Sequence, residues 1–308
     1  MKAAREPYGQ TEVYRFYGGP IDDVNGPESL INAWPVDEVY IDYVEGAPAA
    51  GIVNNVADYP EITKELLTSL NEVGAEENIA TGYHPIEFLL WGQDLSADSA
   101  GQRAYTDYTS ADNADRRGVY LNAAAEMLVE HLGVLVDAWQ PEQPGNYRAS
   151  FLALEPDQAL QSILTGMGVL AKSELAGDRI FTAFDNQDQE DEHSCFSDNT
   201  HRDIIANFTG LQNVYLGRYE RSDGSVVAGT GLNAAVAAVK ASLNEQVTAL
   251  LSMAAAQTRA IPAPFDQAIL SADTRPQLFA LVSTLLDLGD KLAEVGTALG
   301  TGVNSARP

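Results

Sequence analysis

Apolar side chains recur at helical spacing over most of this 308-residue chain. Ile62, Leu66, Leu70 and Val73 follow one another at steps of four and three residues, which is the period of one face of an α-helix. Pro60 lies just before them and suits a first helical turn. The pattern therefore predicts an amphipathic helix that begins near Pro60.

The same period predicts longer helices farther along the chain. These segments are residues 114–139, 160–175, 204–215, 230–256 and 273–299. The sequence PEQPG at 141–145 ends the first of them, and AIPAPFDQ at 260–267 separates the last two. Asp198 or Asn199 is placed to cap the helix at 204–215, and Gly217 is placed to end it in the left-handed conformation.

Strand candidates are few and short, residues 39–44 among them, and no alternation of strands with helices is present in the sequence. About seven long helical patterns favour an all-α protein of antiparallel helices. A change of composition at 140–147 divides the chain into two halves. We therefore predict two bundle-like helical domains, residues 1–142 and residues 143–308.

Composition and charge exclude several classes of protein. With 45% hydrophobic and 20% charged residues, the chain can bury a large core, which excludes disordered, collagen-like and rod-like proteins. Its 18 Lys and Arg residues against 44 Asp and Glu residues give a net charge of −26. This charge repels nucleic acids and anionic lipids, so we expect no nucleic-acid partner. It attracts cations, although the same charge often serves solubility alone.

The single cysteine, Cys195, excludes an internal disulfide and a zinc site built from thiolates. No run of eighteen apolar residues predicts a transmembrane segment. The first residues, MKAAREPYGQTEVYRF, lack the apolar core of a signal peptide. The residues alone therefore leave the compartment open.

The first candidate site is the segment ATGYHPIEFLLWGQDL. His84 and Glu87 are three residues apart and share one face if a helix runs through them. Imidazole and carboxylate groups suit zinc or iron. Pro85 fits a first helical turn, which puts His84 at the helix start, and Gly82 permits a turn just before it. The alternative is a hydrogen-bonded pair inside an apolar core.

The second candidate site is an acidic segment without period, which predicts a loop over residues 183–199. Between residues 185 and 203 the sequence places Asp185, Asp188, Glu190, Asp191, Glu192, His193, Asp198, His201 and Asp203. So many carboxylates must be solvated, paired or neutralised by a bound cation. Ser194, Cys195 and Phe196 interrupt the polar run and indicate that part of the loop is packed. A solvated loop and a ligand role both remain open, and His193 beside Cys195 does not establish a thiol nucleophile.

Known catalytic motifs are incomplete. HExxH and HxxEH are absent from the sequence, although His84 and Glu87 joined by His193 or His201 could form a zinc site of the carboxypeptidase type. Such enzymes are built on a mixed sheet, which this chain does not predict. A di-iron bundle needs two ExxH motifs, whereas this chain has a single HxxE pair in the reverse order, which argues against a di-iron site. His131 lies in a helical apolar stripe and is interpreted as a partly buried helix residue.

The segments GYHPIEFLLWGQDL and FDNQDQEDEHSCFSDNTHRDIIANFTGLQNVYLG resemble the imelysin family, whose mark is a GxHxxE motif. Here the motif is Gly82, His84 and Glu87, and the resemblance runs through nearly the whole chain. It implies two all-α bundles with the motif near their interface, in a protein of the periplasm or outer membrane. MKAAREPYGQTE resembles the end of the family's first helix, which usually follows a secretion signal or lipoprotein leader, so we expect that the chain starts late.

The resemblance implies a metal site in which His84, Glu87, His193 and His201 are candidate ligands. The other candidate pocket residues are Gly82, Ser194, Cys195, Asp198 and Arg202. Arg202 either shapes the pocket or neutralises the loop carboxylates in competition with a metal.

Three functions compete at this point. The first is a component of bacterial iron uptake that binds iron, another metal such as zinc or a ferric complex without catalysis, with other iron-uptake components as partners. The second is a zinc metallopeptidase that uses His84, Glu87 and a distant histidine. The third is a structural module in which the motif holds the two bundles together.

Overall fold

The computed structural model describes residues 1–96 and 98–303. The helices of the first half are α1 (Lys2–Gly9), α2 (Glu28–Ile31), α3 (Glu38–Ile41), α4 (Gly51–Asn54), α5 (Lys64–Leu70), α6 (Tyr83–Trp91) and α7 (Ala114–Trp139). Those of the second half are α8 (Tyr147–Leu152), α9 (Pro156–Val169), α10 (Thr182–Asn186), α11 (Thr200–Leu216), α12 (Leu232–Val239), α13 (Ala241–Arg259), α14 (Phe265–Leu270) and α15 (Arg275–Ala298). A π-helix, Leu170–Phe181, joins α9 to α10.

The all-α prediction is confirmed. Within the described ranges, the sheet content is one antiparallel hairpin of β1 (Arg218–Glu220) and β2 (Val226–Ala228). Single 3₁₀ turns lie at Glu12–Tyr14, Tyr105–Tyr108 and Gln189–Asp191. The long helices α7, α11 and α15 lie where the apolar period predicts them.

Several boundaries differ from the predictions. Helix α5 begins at Lys64 and not near Pro60, because the hydroxyl of Thr63 accepts the amide of Leu66 at 3.2 Å and caps the helix there. The predicted strand at 39–44 is wrong, because Asp37 caps a helical turn, α3, by accepting the amide of Val39. The predicted helix at 230–256 is two helices, broken at Lys240.

Two hydrophobic cores organise the chain. The first is built around α6 and α7, and the second around α9, the π-helix, α11, α13 and α15. Two segments cross between them. Val13 packs into the second core, whereas Cys195 and Phe196 pack into the first, where Phe196 meets Phe88 with ring centroids 5.1 Å apart. The acidic segment therefore brings residues of the second half to the GxHxxE helix. The domain boundary at residues 142 and 143 stays a prediction.

The π-helix contributes charged side chains to the region between the cores. Its hydrogen bonds join residues five positions apart, so residues with that spacing lie on one side of it. Glu174 and Arg179 have this spacing, and both are buried. They form an ion pair of 2.9 Å, and Arg179 also contacts Glu12 at 2.7 Å.

Helix α7 is long and apolar enough to cross a membrane by length and composition alone. One such helix is weak support for a span. Lys64 of α5 pairs with Glu126 and Glu130 of α7 at 2.9 and 2.6 Å, and the helix also packs on α6. Helix α7 buries Tyr120, Ala124, Met127 and Leu128 in the first core, and 22% of its apolar window is buried.

Candidate functional site

The GxHxxE motif forms the start of α6. Gly82 immediately precedes the helix with φ of +100°, and a Cβ atom there would lie 2.5 Å from the carbonyl oxygen of Ile31. Only glycine fits that position without strain. Pro85 is the third residue of α6, as predicted for a first helical turn. His84 and Glu87 are both completely buried.

His84 is held by the carboxylate of Glu87. Its Nδ1 atom lies 3.1 Å from Oε2 of Glu87. The other carboxylate oxygen accepts hydrogen bonds from the amide and the hydroxyl of Ser197, at 3.0 and 2.5 Å. When Glu87 is ionised, its carboxylate can only accept, so in that state Nδ1 of His84 carries the proton and Nε2 keeps its lone pair.

His193 is held in the same way by Asp203. Its Nδ1 atom lies 3.2 Å from Oδ2 of Asp203. Burial alone would raise the pKa of Asp203, but Arg5 and His193 outweigh it and hold that pKa well below its usual range. Nη2 of Arg5 also lies 3.3 Å from this Nδ1 atom, but it donates to Oδ2 of Asp203 at the shorter distance of 2.7 Å. Because Asp203 is ionised and can only accept, we assign the proton of His193 to Nδ1, which leaves Nε2 with a lone pair.

The two histidine rings are in direct contact, with centroids 4.8 Å apart and an interplanar angle of 70°. Neither Nε2 atom has a hydrogen-bond partner among the residues that the structure describes. Burial lowers the pKa of both rings well below the usual value, with Arg5 adding to the effect at His84 and Arg179 at His193. Two neutral imidazoles thus meet, each oriented by a carboxylate, an arrangement common among metal-ligating histidines.

Arg5 connects the Asp203 side of the site to the N-terminal segment. Its Nε and Nη2 atoms donate to the two oxygens of Asp203 at 3.1 and 2.7 Å, and Nη1 donates to Asn32 at 2.5 Å. Ser194 and Asn199 also donate to Asp203, at 2.5 and 3.1 Å. All five residues are buried. The Asp203 carboxylate is therefore fully occupied by donors and fixes the ring of His193.

A cavity of about 560 Å³ reaches His193 from the region between the two cores. Its wall includes Arg15, Glu28, Trp34, Glu174 and Arg179. The ring of Trp34 meets that of His193 edge-on, with centroids 5.7 Å apart. His193 is thus the member of the histidine pair that a molecule in this cavity would meet first.

The structure brings together His84, Glu87, His193 and Ser194 of the predicted site residues. Within the described residues, the hydrogen bonds and ring contacts of the histidine pair do not include His201, which lies in the first turn of α11. Arg202 pairs with Glu6 through two hydrogen bonds of 2.7 and 2.8 Å on a half-exposed surface. It therefore pairs with α1 and not with the loop carboxylates.

Cys195 is packed in the first core, and burial raises the pKa of its thiol well above the usual value. A protonated thiol is a poor nucleophile, which removes the reason for considering Cys195 with His193 as a catalytic pair. Asp198 has a positive φ of 53° and follows Ser197, whose hydroxyl donates to Glu87.

Sequence reasoning missed Arg5, Asn32 and Ser197. Ser197 carried a weak signal, because it follows the apolar residues that interrupt the acidic run. Arg5 and Asn32 carry no local signal, since both reach the site only through the packing of α1 and α2.

An all-helical fold with a buried GxHxxE centre between two cores defines the class of protein, and comparisons with known proteins give the family. The family model described as Imelysin (Peptidase M75) matches residues 2–292. The chain belongs to the imelysin family.

Two relatives carry related names. Iron-regulated protein A of Synechococcus elongatus is 27% identical over 238 residues, which are 74% of this chain and 53% of the relative. The chain thus spans about half the length of that curated relative. A crystal structure described as an iron-regulated protein A precursor from Parabacteroides distasonis has a TM-score of 0.70 and 18% identity, over 97% of this chain and 81% of that one. It shows the shared fold.

Replacing Glu87 with glutamine is expected to change the pH dependence of stability. Burial raises the pKa of Glu87 to about 7, so the folded state binds this proton more tightly than the unfolded state does. The stabilisation from this group is complete below the unfolded pKa of about 4.5 and is lost as the pH rises through about 7. Glutamine does not titrate, so only wild type loses this stabilisation as the pH rises. The free energy of unfolding of Glu87→Gln minus that of wild type should therefore increase by about 3 kcal/mol between pH 4 and pH 8.

Urea titrations at a series of pH values measure this difference. Glu245→Gln on the exposed face of α13 is the matched control and should show a flat difference. A flat difference for Glu87→Gln as well would contradict the raised pKa.

Proposed function

We propose that this protein binds iron, or another transition metal or ferric complex, at the His84 and His193 pair, as a non-catalytic component of bacterial iron uptake. The observation that carries the proposal is the pair of buried Nε2 atoms, which lack hydrogen-bond partners within the described part of the chain. Burying a polar atom without a hydrogen-bond partner costs free energy of folding. A metal ion bound to the two Nε2 atoms would give each of them a partner.

The chemistry of the ligands supports a metal of the iron and zinc kind. Neutral imidazole suits iron, zinc, copper and nickel better than magnesium or calcium. Because a pair of imidazoles leaves the coordination shell incomplete, the remaining positions are open to water or to the ligands of a chelated ferric ion. The cavity of about 560 Å³ beside His193 gives such a complex room to approach.

Glu87 acts in this proposal by orienting His84. One of its oxygens faces Nδ1 of His84, and the other accepts two hydrogen bonds from Ser197. A buried carboxylate engaged in this way is poorly placed to activate a water for peptide hydrolysis. We therefore favour binding without catalysis over the metallopeptidase alternative.

Anaerobic calorimetric titration of metal-free protein with Fe²⁺, and separately with Zn²⁺, tests the proposal. Wild type is expected to bind one ion per chain. His84→Gln and His193→Gln should each weaken binding at least tenfold, because each removes a ligand. Glu87→Gln should weaken it by about 10-fold to 100-fold, the usual effect of losing a group that orients a ligand.

His131→Gln and His201→Gln are the matched controls, since they remove histidines that do not contact the pair. Both should bind like wild type, and circular dichroism checks that every variant is folded. Binding that survives His84→Gln and His193→Gln, or no binding by folded wild type, would overturn the proposal. Metal-dependent cleavage of a peptide panel, lost in His84→Gln, would favour the peptidase instead.

The proposal also places the protein in the periplasm or at the outer membrane with other iron-uptake components. Its support is the family membership and the names of the two relatives. Cell fractionation of the native host, with growth under iron limitation and iron excess, tests the placement. We expect the protein in the envelope fraction and at higher abundance under iron limitation, whereas an exclusively cytoplasmic protein would contradict this placement.

A further inference from the structure

A second cluster of acid groups lies apart from the histidine pair. The carboxylates of Asp94, Asp198 and Asp266 each place one oxygen within 4.8 Å of the others. Asp94 follows α6, Asp198 precedes α11, and Asp266 lies in α14. Three distant parts of the sequence thus direct acid groups to one point.

Asp266 is the member that points most clearly to a ligand. Its side chain is only 1% exposed. Neither of its oxygens meets hydrogen-bond geometry with a partner within residues 1–96 and 98–303, and the backbone amides that act on its charge are its own and that of Gln267. An isolated buried carboxylate is costly unless it is paired, protonated or bound to a metal, and here it faces two further carboxylates.

The charges around the cluster increase this cost. Burial raises the pKa of Asp266 to about 6, with Asp198 adding to it, and burial likewise raises the pKa of Asp94 to about 6. Glu192 is 1% exposed, and its electrostatic neighbours are Asp266, Asp198 and Asp94. Of the described cations, Lys2 acts on the cluster, through Asp198, and its ammonium also donates to the carbonyl of Ser197.

We infer that this cluster is a binding site for a hard divalent cation, Ca²⁺. Carboxylate oxygens without nitrogen or sulfur ligands favour hard cations over iron or zinc. Ca²⁺ binds oxygens at about 2.4 Å, so opposite ligands on one ion lie up to about 4.8 Å apart. The three carboxylate oxygens all lie within 4.8 Å of one another, so one such ion can contact all three.

The cation would connect the GxHxxE helix to the second half of the chain. Asp94 follows the C-terminal end of α6, and Asp198 adjoins Ser197, which donates to Glu87. Asp266 belongs to α14, whose Phe265 and Ile269 lie in the second core. Bound Ca²⁺ would thus hold together segments on both sides of the candidate metal centre. The site stands independently of the proposed function, since it shares no ligand with the histidine pair.

The test is thermal unfolding of chelator-treated protein with and without Ca²⁺, together with calorimetric titration. At a hundredfold excess over the Kd, Ca²⁺ should raise the Tm of wild type by about 5 °C. Asp266→Asn and Asp94→Asn should each lose at least tenfold in Ca²⁺ affinity and most of this shift. Without Ca²⁺, Asp266→Asn should melt higher than wild type, because it removes a repelling charge.

Asp287→Asn on the exposed face of α15 is the matched control and should keep the full shift. His193→Gln should also keep it, which separates this site from the histidine pair. The inference is overturned if Ca²⁺ leaves wild type unchanged, or if it shifts Asp266→Asn and Asp94→Asn as much as wild type. An equal shift of wild type by the same concentration of Mg²⁺ would overturn the assignment to Ca²⁺.

Discussion

Replacing Arg5 with methionine is expected to lower the free energy of unfolding by about 3–5 kcal/mol. The guanidinium is 2% exposed and donates to both oxygens of Asp203, which is also buried. Methionine keeps much of the side-chain volume but leaves the carboxylate of Asp203 without its main counter-charge. Removing one partner of a buried pair costs far more than the pair contributes, because the remaining charge stays in a poorly polarisable environment.

The adjacent residue provides a matched comparison for this change. Glu6 of α1 pairs with Arg202 of α11 through two hydrogen bonds, as Arg5 pairs with Asp203, but both side chains are about 40% exposed. Water screens such a pair, so Arg202→Met should cost less than about 1 kcal/mol. Urea unfolding of the two variants at pH 7 measures the difference. Equal costs would contradict the claim that burial makes the Arg5 pair critical.

The double variant Arg5→Met with Asp203→Asn separates the unpaired charge from lost packing. It removes both charges, so it should be more stable than Arg5→Met alone by about 1–3 kcal/mol. No recovery would show that the cost of Arg5→Met comes from packing against Tyr83, over whose ring the guanidinium lies at 5.0 Å from the centroid.

Long helices were predictable because their period depends only on neighbouring residues. Helices α11 and α15 bury apolar side chains along their length, and α7 buries them as far as Leu128, at the spacing that the sequence shows directly. Short elements follow other signals. The turn α3 depends on the cap by Asp37. The π-helix follows α9 directly, and the apolar pattern does not change where the α-helix becomes a π-helix. Local pattern therefore predicts the fold class but not these boundaries.

The candidate site was only partly predictable for the same reason. His84 and Glu87 are neighbours along one helix, so their spacing alone indicated the hydrogen bond that the structure shows. Whether His193 or His201 joins them depends on how the acidic segment crosses to the first core. Cys195 and Phe196 make that crossing and carry His193 beside His84. Spacing along the sequence contains no information on such a path.

The acidic segment shows how composition and structure diverge. Counted along the chain, its carboxylates form one charge cluster, but the fold separates them into different environments. Asp203 faces Arg5 and His193, whereas Asp198 faces Asp94 and Asp266, which lie far away in the sequence. The question of whether the loop is solvated or binds a cation therefore has a separate answer for each carboxylate.

Replacing Gly82 with alanine is expected to destabilise the protein by about 3–5 kcal/mol and to weaken metal binding. A residue with a side chain is strained at φ of +100°, at a cost of about 1–3 kcal/mol. The added Cβ would also lie 2.5 Å from the carbonyl oxygen of Ile31, which is backbone and can move only with α2. Because Gly82 precedes His84 by two residues, any shift that relieves the contact displaces the His84 ring from His193.

Gly74 separates these two contributions to the effect of Gly82→Ala. Its φ is +91°, close to that of Gly82, but a Cβ there would meet only the side-chain amide of Asn78 at 3.4 Å. Gly74→Ala should therefore cost about 1–3 kcal/mol from backbone strain and leave Fe²⁺ and Zn²⁺ affinity unchanged. Urea unfolding and calorimetric metal titration of both variants measure the contrast. If Gly82→Ala costs no more than Gly74→Ala and binds metal like wild type, then close packing of the motif glycine against α2 does not position His84.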